Sequence, residues 1–562
     1  MVAAADRNLT TQGRKRSPGC VTPRSVFCFY RGTVEGAAPV SDLPLAVTQP
    51  WRASPARWRA WAPGGCRLRP GTLIGAWPWL APTLVAALLL LPHLTAAPLW
   101  ADEADTVSAV TRPLPDLLRL LGHQDSPLGA YYLGLHLWGT LAGTSALAVR
   151  LPSAVALLLA VACLAHIAQR RYGRHLGCAA GLLLATNSFV LEFGADARPY
   201  AFAILAGVVA FGILWGDLQP TPRRRWGYGL AVVLGICAHL FFLLLVPAHL
   251  AGLALSGRPV RPWWRPAALA VLVTSPLIVL ASTQSAEVGY LTAPSLRTVG
   301  GCFQALSGGS GWTSVPVLLV LIWGASRRLL GRQAGLLMWL ALPAAVLLSV
   351  SVVHPLYLNR YVAESAPALS LLLVGMLSVA ATRTSATVLA VLLVAGTAQT
   401  VVHQQAPYRY EDLRSASDGI LDRATPGDGV VFLPSGVRTA MNYYLQRLDP
   451  ASVHPGDVLL DATQSEAQVG NFGGHTVLPS QIPPRLLQLK VVWLVSYRDQ
   501  PAGKGALSAT VHAVLSRCFV QDSVGDYGLV EVRRETATGA CPRRQPLSAP
   551  TRIVAGGQRR HG

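Results

Sequence analysis

Charge is what this chain has least of. Only 13% of its 562 residues are Asp, Glu, Lys or Arg, against about a quarter in an ordinary soluble domain, which excludes a purely soluble multidomain enzyme. The nine cysteines contain no CxxC pair and no Cys/His spacing suited to a metal. There is no GxxxxGK[ST] loop, no HExxH and no GxSxG with triad partners, which removes most support for nucleotide hydrolysis and zinc proteolysis. No internal repeat of two similar halves is visible, so the architecture common among transporters finds no support either.

What is present is apolar surface. The chain is 52% hydrophobic with a mean hydropathy of +0.40, too much for disorder over the bulk of its length. Its net charge of +20 is dispersed: residues 1–72 carry 11 basic against 3 acidic residues, 73–402 carry 19 against 10, and 403–562 carry 17 against 14. No aromatic-rich basic face stands out, and nucleic acid is not expected as a partner. The pattern is that of a polytopic membrane protein.

Residues 1–72, rich in Arg, Pro, Gly and Trp without apolar periodicity, read as a disordered basic tail on the cytoplasmic side, or as upstream sequence translated from a misassigned start. Residues 73–402 then alternate apolar runs with short polar loops, as helices crossing a bilayer about 30 Å thick require. Eleven transmembrane helices are expected, near 75–97, 147–168, 176–191, 197–216, 226–240, 241–256, 266–282, 312–326, 334–353, 362–380 and 386–402. If the short aromatic stretch 127–144 lies along the interface rather than crossing, the loops at 170–174, 223–225, 258–265 and 327–332, with Arg383, all face the cytoplasm. They hold 13 of the 19 basic residues of this region, in keeping with the positive-inside rule. The same arrangement puts nine of the region's ten acids on the outer side, Asp217 being the exception.

The last helix then exits outward, and 403–532 becomes a small extracytoplasmic α/β domain. Runs at 429–434, 491–497 and 527–532 read as strands, and 410–424 as an amphipathic helix. Residues 533–562 read as a disordered tail. In an exported domain Cys518 and Cys541 could pair, whereas Cys163, Cys178 and Cys237 sit in apolar runs as small hydrophobes.

Ionisable residues gather at the outer junctions. LWADEADTVSAV places Asp102, Glu103 and Asp105 just after the first helix. A carboxylate there can take a proton from an attacking hydroxyl, although acids in an outer loop are often simply solvated. EFGADARPYAF supplies Glu192, Asp196, Arg198 and Tyr200; Arg198 offers a bidentate fork to a phosphate, or else pairs with a neighbouring acid to tie helix ends. HPLYLNRYVAE brings His354, Tyr357, Arg360 and Tyr361, where the tyrosines have a plain role as interfacial anchors. His239 sits at an outer turn, Asp125 opens the juxtamembrane helix, and Arg150 stands at the outer end of the next helix, where solvation would account for it. Acids and arginines from four junctions on one face suit a reaction between an anionic lipid-linked substrate and an acceptor at that face.

Taken in order, the Asp102–Glu103 pair, DSPLGAYY (125–132), RLPSA (150–154), ARPY (197–200) and HPLYLNRY (354–361) resemble bacterial members of glycosyltransferase family 39, relatives of the protein O-mannosyltransferases and of the lipid A aminoarabinose transferase. The resemblance covers roughly 75–402, and YEDLRSASDGILDRATPGD also resembles the segment that succeeds the membrane region in such proteins. It implies a GT-C type fold, a polyprenyl-phosphate-linked sugar as donor with mannose favoured, and a glycan, lipid or protein acceptor. The active site would face away from the cytoplasm in a multi-pass cell-membrane protein. By the same resemblance Asp102 is the base with Glu103 beside it. Arg198 and Arg360, with Tyr361, meet the donor phosphate, and the anomeric centre inverts. Asp125, Tyr131, Asp196, His239 and His354 complete the expected substrate-binding set. No metal or nucleotide cofactor is required, and a divalent cation remains compatible with the scheme. One departure is notable: many relatives begin the juxtamembrane helix with His-Pro-Pro-Leu-Tyr-Tyr, where this chain has Ser126-Pro127-Leu128-Gly129-Ala130-Tyr131-Tyr132, with His123 just upstream. A flippase for lipid-linked saccharides and a non-catalytic glycan-binding scaffold are the alternatives.

Overall fold

A computed structural model describes residues 76–216, 220–405, 410–448, 454–498, 505–539 and 541. The tail expected over 1–72 and Asp217 lie outside the described residues, as does the stretch beyond 541.

The chain enters with α1 (Trp77–Leu90), followed by three helices that do not cross: α2 (Ala101–Thr111), α3 (Leu114–His123) and α4 (Gly129–Ala142). The last is the aromatic stretch expected at the interface. Its 14 residues reach ~21 Å, short of a bilayer core. It is two-faced, burying Tyr131, Tyr132 and Leu135 while Leu133, Leu137 and Leu141 stay exposed. Next comes α5 (Ala146–Tyr172), 27 residues long, capped by Ser145, whose hydroxyl accepts the Ala148 N–H. At ~40 Å it holds Arg150 at one end of the bundle and Arg170 and Arg171 at the other.

All eleven expected spans fall on helix, but fewer qualify as full crossings. Among the described residues, six helices are long and apolar enough, or up to eight if each of two bent pairs is one span. The expected count of eleven is therefore not reproduced in full: two spans are bent, and Tyr200–Gly216, Pro222–Ala238 and Leu240–Leu255 are short. Helix Arg174–Ala185 turns by 72° into Ser188–Gly194 because Asn187 caps the new helix, its side chain accepting the Val190 N–H. Leu296–Leu306 turns by 85° into Gly311–Ser326 through Gly308 and Gly309, both at positive φ. Tyr200–Gly216 and Leu240–Leu255 are apolar but short.

Between helices the contact is made by small side chains, as expected where lipid removes the hydrophobic incentive to associate. A Cβ on Gly181 would stand 2.7 Å from Pro82 and 2.8 Å from Ala165, so α1, α5 and helix Arg174–Ala185 meet at backbone range only because that position is glycine. Helix Ala366–Leu377 is buried at every residue and forms the axis of the bundle.

The C-terminal domain is a five-stranded sheet, ordered β2-β1-β3-β5-β4: β1 (Gly429–Leu433), β2 (Gly456–Asp457), β3 (Val491–Tyr497), β4 (Phe519–Tyr527) and β5 (Val530–Ala537). β1 pairs parallel with β2 and β3, whereas β5 runs antiparallel to β3 and β4. Alternation decides the faces. Val430, Phe432, Trp493 and Val495 join the cluster that includes Val107, Val110 and Leu117 of the juxtamembrane helices. Val431, Leu433, Val492 and Leu494 pack on the opposite side with Val511 and Leu515. The expected boundary at 532/533 is corrected: β5 runs on to Ala537, because Arg533 and Arg534 are strand residues, Arg534 pairing with Asp522 of β4. Cys518 and Cys541 are disulfide-bonded, Cα to Cα 5.5 Å.

Candidate active site

LWADEADTVSAV is helical from Ala101 rather than an open loop. Helical spacing sets Asp102 and Asp105 on one face and turns Glu103 roughly 100° away, so three neighbouring acids receive different surroundings.

Glu103 is fully buried against Arg150. Arg150 Nε donates to Oε1 at 2.7 Å and Nη2 to Oε2 at 2.5 Å, and Oε1 also accepts the Ala197 N–H at 2.9 Å. The remaining guanidinium donors reach the carbonyls of Leu94, Ala97 and Pro98. The structure places Glu103, expected beside the base, with both oxygens committed to a bidentate pair inside the protein. Arg150, read as a solvated helix end, is the core of that clamp.

Asp102 instead meets the two arginines singled out in the sequence. Its Oδ2 lies 3.1 Å from Arg360 Nη1 and 3.5 Å from Arg198 Nη2, and it keeps 23% of its side-chain exposure. Residues 96 and 258 positions further along the chain thus converge on one carboxylate. Arg198 is held from several sides: Nη1 donates to the Tyr132 hydroxyl at 3.0 Å and to the Asp102 carbonyl at 3.2 Å. Burial works against its charge, but Tyr132 and Asp102 hold its guanidinium above the ordinary arginine range. Arg360 lies over the Trp100 ring at 5.5 Å and over Tyr361 at 5.8 Å, a cation–π seat.

The juxtamembrane helix does reach the site, through Tyr132 rather than a histidine. Tyr132 donates to Asp125 Oδ2 at 2.8 Å while accepting from Arg198, and Asp125 stands at φ 55° to turn the chain there. His123 takes no part; it is exposed and bonded to the Arg119 carbonyl. Burial raises the Asp125 carboxyl. Asp105 is raised further, by burial first and then by Asp102 and Asp125.

That shift has a sign. The folded protein keeps a proton on Asp105 at pH values where the unfolded chain has released it, so stability falls as pH rises from the ordinary carboxylate range through the raised value. Asp105→Asn is therefore expected to flatten this part of the stability–pH curve and to raise thermal stability at neutral pH. A melting series from pH 4 to 8 checks it, and an unchanged slope would refute it.

The other expected site residues divide. Tyr131 lines an apolar cavity of ≈ 590 Å³ between α4, Tyr200–Gly216 and Pro222–Ala238, with Trp138, Phe202 and Leu230. Pro199, next to Arg198, stands in its wall. Asp196, expected to contact substrate, accepts the Trp100 indole N–H at 3.1 Å. His239 is buried 3.6 Å from Glu364 Oε2 and packs on Tyr200 and Tyr361, one layer beneath the arginines. His354 is exposed at the end of its helix and is not part of the cluster. Among the described residues, no group of three or more His, Cys, Asp or Glu is placed to hold a metal ion. Sequence reasoning passed over Arg150, Tyr132, Trp100 and Glu364; only the paired tyrosines of DSPLGAYY carried a usable signal.

Comparison with known proteins bears on the family and the fold. Residues 124–283 match the dolichyl-phosphate-mannose-protein mannosyltransferase family, a stretch that contains Asp125, Tyr132, Arg150 and Arg198. The fold matches ArnT from Cupriavidus metallidurans in the apo state with a TM-score of 0.53 at 13% identity, over 83% of this chain and 100% of that one. The same protein bound to undecaprenyl phosphate gives 0.51 at 13% identity over the same shares. The probable arabinosyltransferase A of Mycolicibacterium smegmatis is 24% identical over 270 residues, 44% of this chain and 23% of that protein. This chain thus spans less than a quarter of that relative's length. The resemblance read from the sequence is thus met by the matched family over residues 124–283 and by the shared fold.

Proposed function

We propose that this chain is a GT-C type membrane glycosyltransferase related to family 39, and that it moves a sugar from a polyprenyl-phosphate donor to a hydroxyl of a glycan, lipid or protein. The apolar cavity beside Pro199 would take the first isoprene units, bringing the phosphate to Arg198 and Arg360. The single observation that carries the reading is the Asp102 carboxylate held between those two guanidiniums.

The chemistry derives from charge. A phosphate arriving between Arg198 and Arg360 draws their donors away from Asp102 and frees its carboxylate to accept the proton of the attacking hydroxyl. The acceptor attacks the anomeric carbon opposite the phosphate, so configuration inverts. The C–O bond to phosphate breaks, and the electron pair stays on the leaving polyprenyl phosphate. The arginines offset that growing charge; a well-placed donor of this kind contributes about 3–4 kcal/mol in other enzymes. Phosphate is a competent leaving group, and the scheme needs neither a nucleotide nor a metal.

The reading places the site on the outer face of the cell membrane. The Cys518–Cys541 bond favours an oxidising compartment for the C-terminal domain, and the basic loops favour the cytoplasm for the opposite end. For the sugar, the matched family is described by mannose and the curated relative by arabinose. Purified protein offered polyprenyl-phosphate mannose and polyprenyl-phosphate arabinose in parallel should transfer one of them. Arg198→Ala should weaken donor binding about tenfold or more, the loss of a charge-assisted contact of roughly 1.5–3 kcal/mol. Lipid translocation without sugar transfer would refute the reading, and unchanged donor affinity would remove Arg198 from the site.

A further inference from the structure

α2 carries Asp102 in its first turn, yet it starts without a cap of its own: Trp100 at the N-cap makes no side-chain hydrogen bond to the helix. Its leading N–H groups need acceptors, and the C-terminal domain supplies one. Glu411 Oε2 accepts the Ala101 N–H at 3.1 Å, a carboxylate at the positive end of a helix. Two residues earlier, the Tyr444 hydroxyl accepts the Leu99 N–H at 2.6 Å and donates to the Leu99 carbonyl at 3.1 Å. Between them, Tyr410 meets the Trp100 ring edge-on at 5.0 Å and donates to Glu192. Three consecutive residues, Leu99, Trp100 and Ala101, are therefore gripped by the domain that succeeds the membrane bundle. Leu99 and Trp100 are buried, at 2% and 7% exposure.

The middle residue links this grip to the chemistry. Trp100 is fixed at its indole nitrogen by Asp196 and at its ring edge by Tyr410, and its face carries the Arg360 guanidinium. Its carbonyl accepts the N–H groups of Glu103 and Ala104, which sets the direction of the helix bearing Asp102.

We propose that the C-terminal α/β domain completes the active site by holding Leu99–Ala101, and that Tyr444, Glu411 and Trp100 are positioning residues for Asp102 and Arg360. The domain is thus a structural condition of catalysis. The proposal rests on the roles given above to Asp102 and Arg360.

The test uses the full-length membrane protein. Tyr444→Phe keeps the ring and removes both hydroxyl bonds; it should lower kcat about tenfold with donor KM changed less than twofold, because sub-ångström displacement of a base is costly. Trp100→Leu removes the seat of Arg360 and should raise donor KM about tenfold. Glu411→Ala should behave as Tyr444→Phe, and Glu411→Gln, which still offers an oxygen to Ala101, should recover most of the loss. Arg498→Ala, at an exposed pair in the same domain, should leave these parameters unchanged. Amide hydrogen exchange at 99–104 should speed up in Tyr444→Phe and Glu411→Ala. Faster exchange with unaltered kcat overturns the proposal, and so does unaltered exchange. Should the wild type transfer no sugar, the functional reading fails by itself. Exchange and polyprenyl-phosphate binding then judge the grip: faster exchange with weaker binding in Trp100→Leu supports it, and no change in either overturns it.

Discussion

Asp102→Asn is expected to lower kcat by about 10²–10⁴-fold, the usual worth of a positioned general base, while the donor binds at least as tightly as to wild type. The second half is the more discriminating. Asp102 lies 3.1 Å from Arg360 and 3.5 Å from Arg198, and on the proposed reading it competes with the donor phosphate for both. Neutralising it leaves two guanidiniums with less local counter-charge, so polyprenyl-phosphate affinity should hold or rise as turnover collapses. Titrating donor analogue into each protein, beside single-turnover rates, separates the two quantities. If turnover survives, the base is another group, and Asp105, one helical turn along, is the first to examine. If affinity falls with turnover, Asp102 is a scaffold for the arginines rather than a base.

The largest stability effect is expected at Arg150. Arg150→Met would strand the Glu103 carboxylate in the interior, and breaking a buried pair by removing one partner costs about 3–5 kcal/mol. The carbonyls of Leu94, Ala97 and Pro98 would lose a donor as well. Adding Glu103→Gln to Arg150→Met should return part of the loss, because the stranded charge goes with it. Thermal unfolding in detergent of the four proteins of this cycle measures both terms. An Arg150→Met protein as stable as wild type would show that the pair is not the clamp described above.

Much of the bundle could be read from the chain, because a bilayer forces long apolar runs into helices and short loops reveal their charge bias. The juxtamembrane helix at 129–142 and the α/β character of the C-terminal domain are legible as patterns, whereas the meeting of Asp102 with Arg198 and Arg360 is implied by the resemblance to family 39. What escaped depends on direction or on distant partners. Asp102, Glu103 and Asp105 are equivalent as letters; a helix rather than a loop sends one to the arginines, one to Arg150 and one into a desolvated corner. Trp100 looks like an interfacial anchor until its two supports are seen. His354 belongs to a promising motif, yet it lies three residues past the end of helix Ala334–Ser351 and is exposed. Arg533 and Arg534 made the end of the domain resemble a tail, although buried Val530 and Val532 already carried the alternation of a strand.

The bond from Ala101 to Glu411 joins groups 310 residues apart. At about 5–20 residues per second of synthesis, the amide exists for about 15–60 s before the ribosome has made its acceptor. During that interval every arginine and carboxylate up to Arg360 can already be in the membrane while the helix that presents Asp102 still lacks its anchor. On the proposed reading, a nascent chain would then be inert beside a lipid-linked donor until the last domain has emerged and docked.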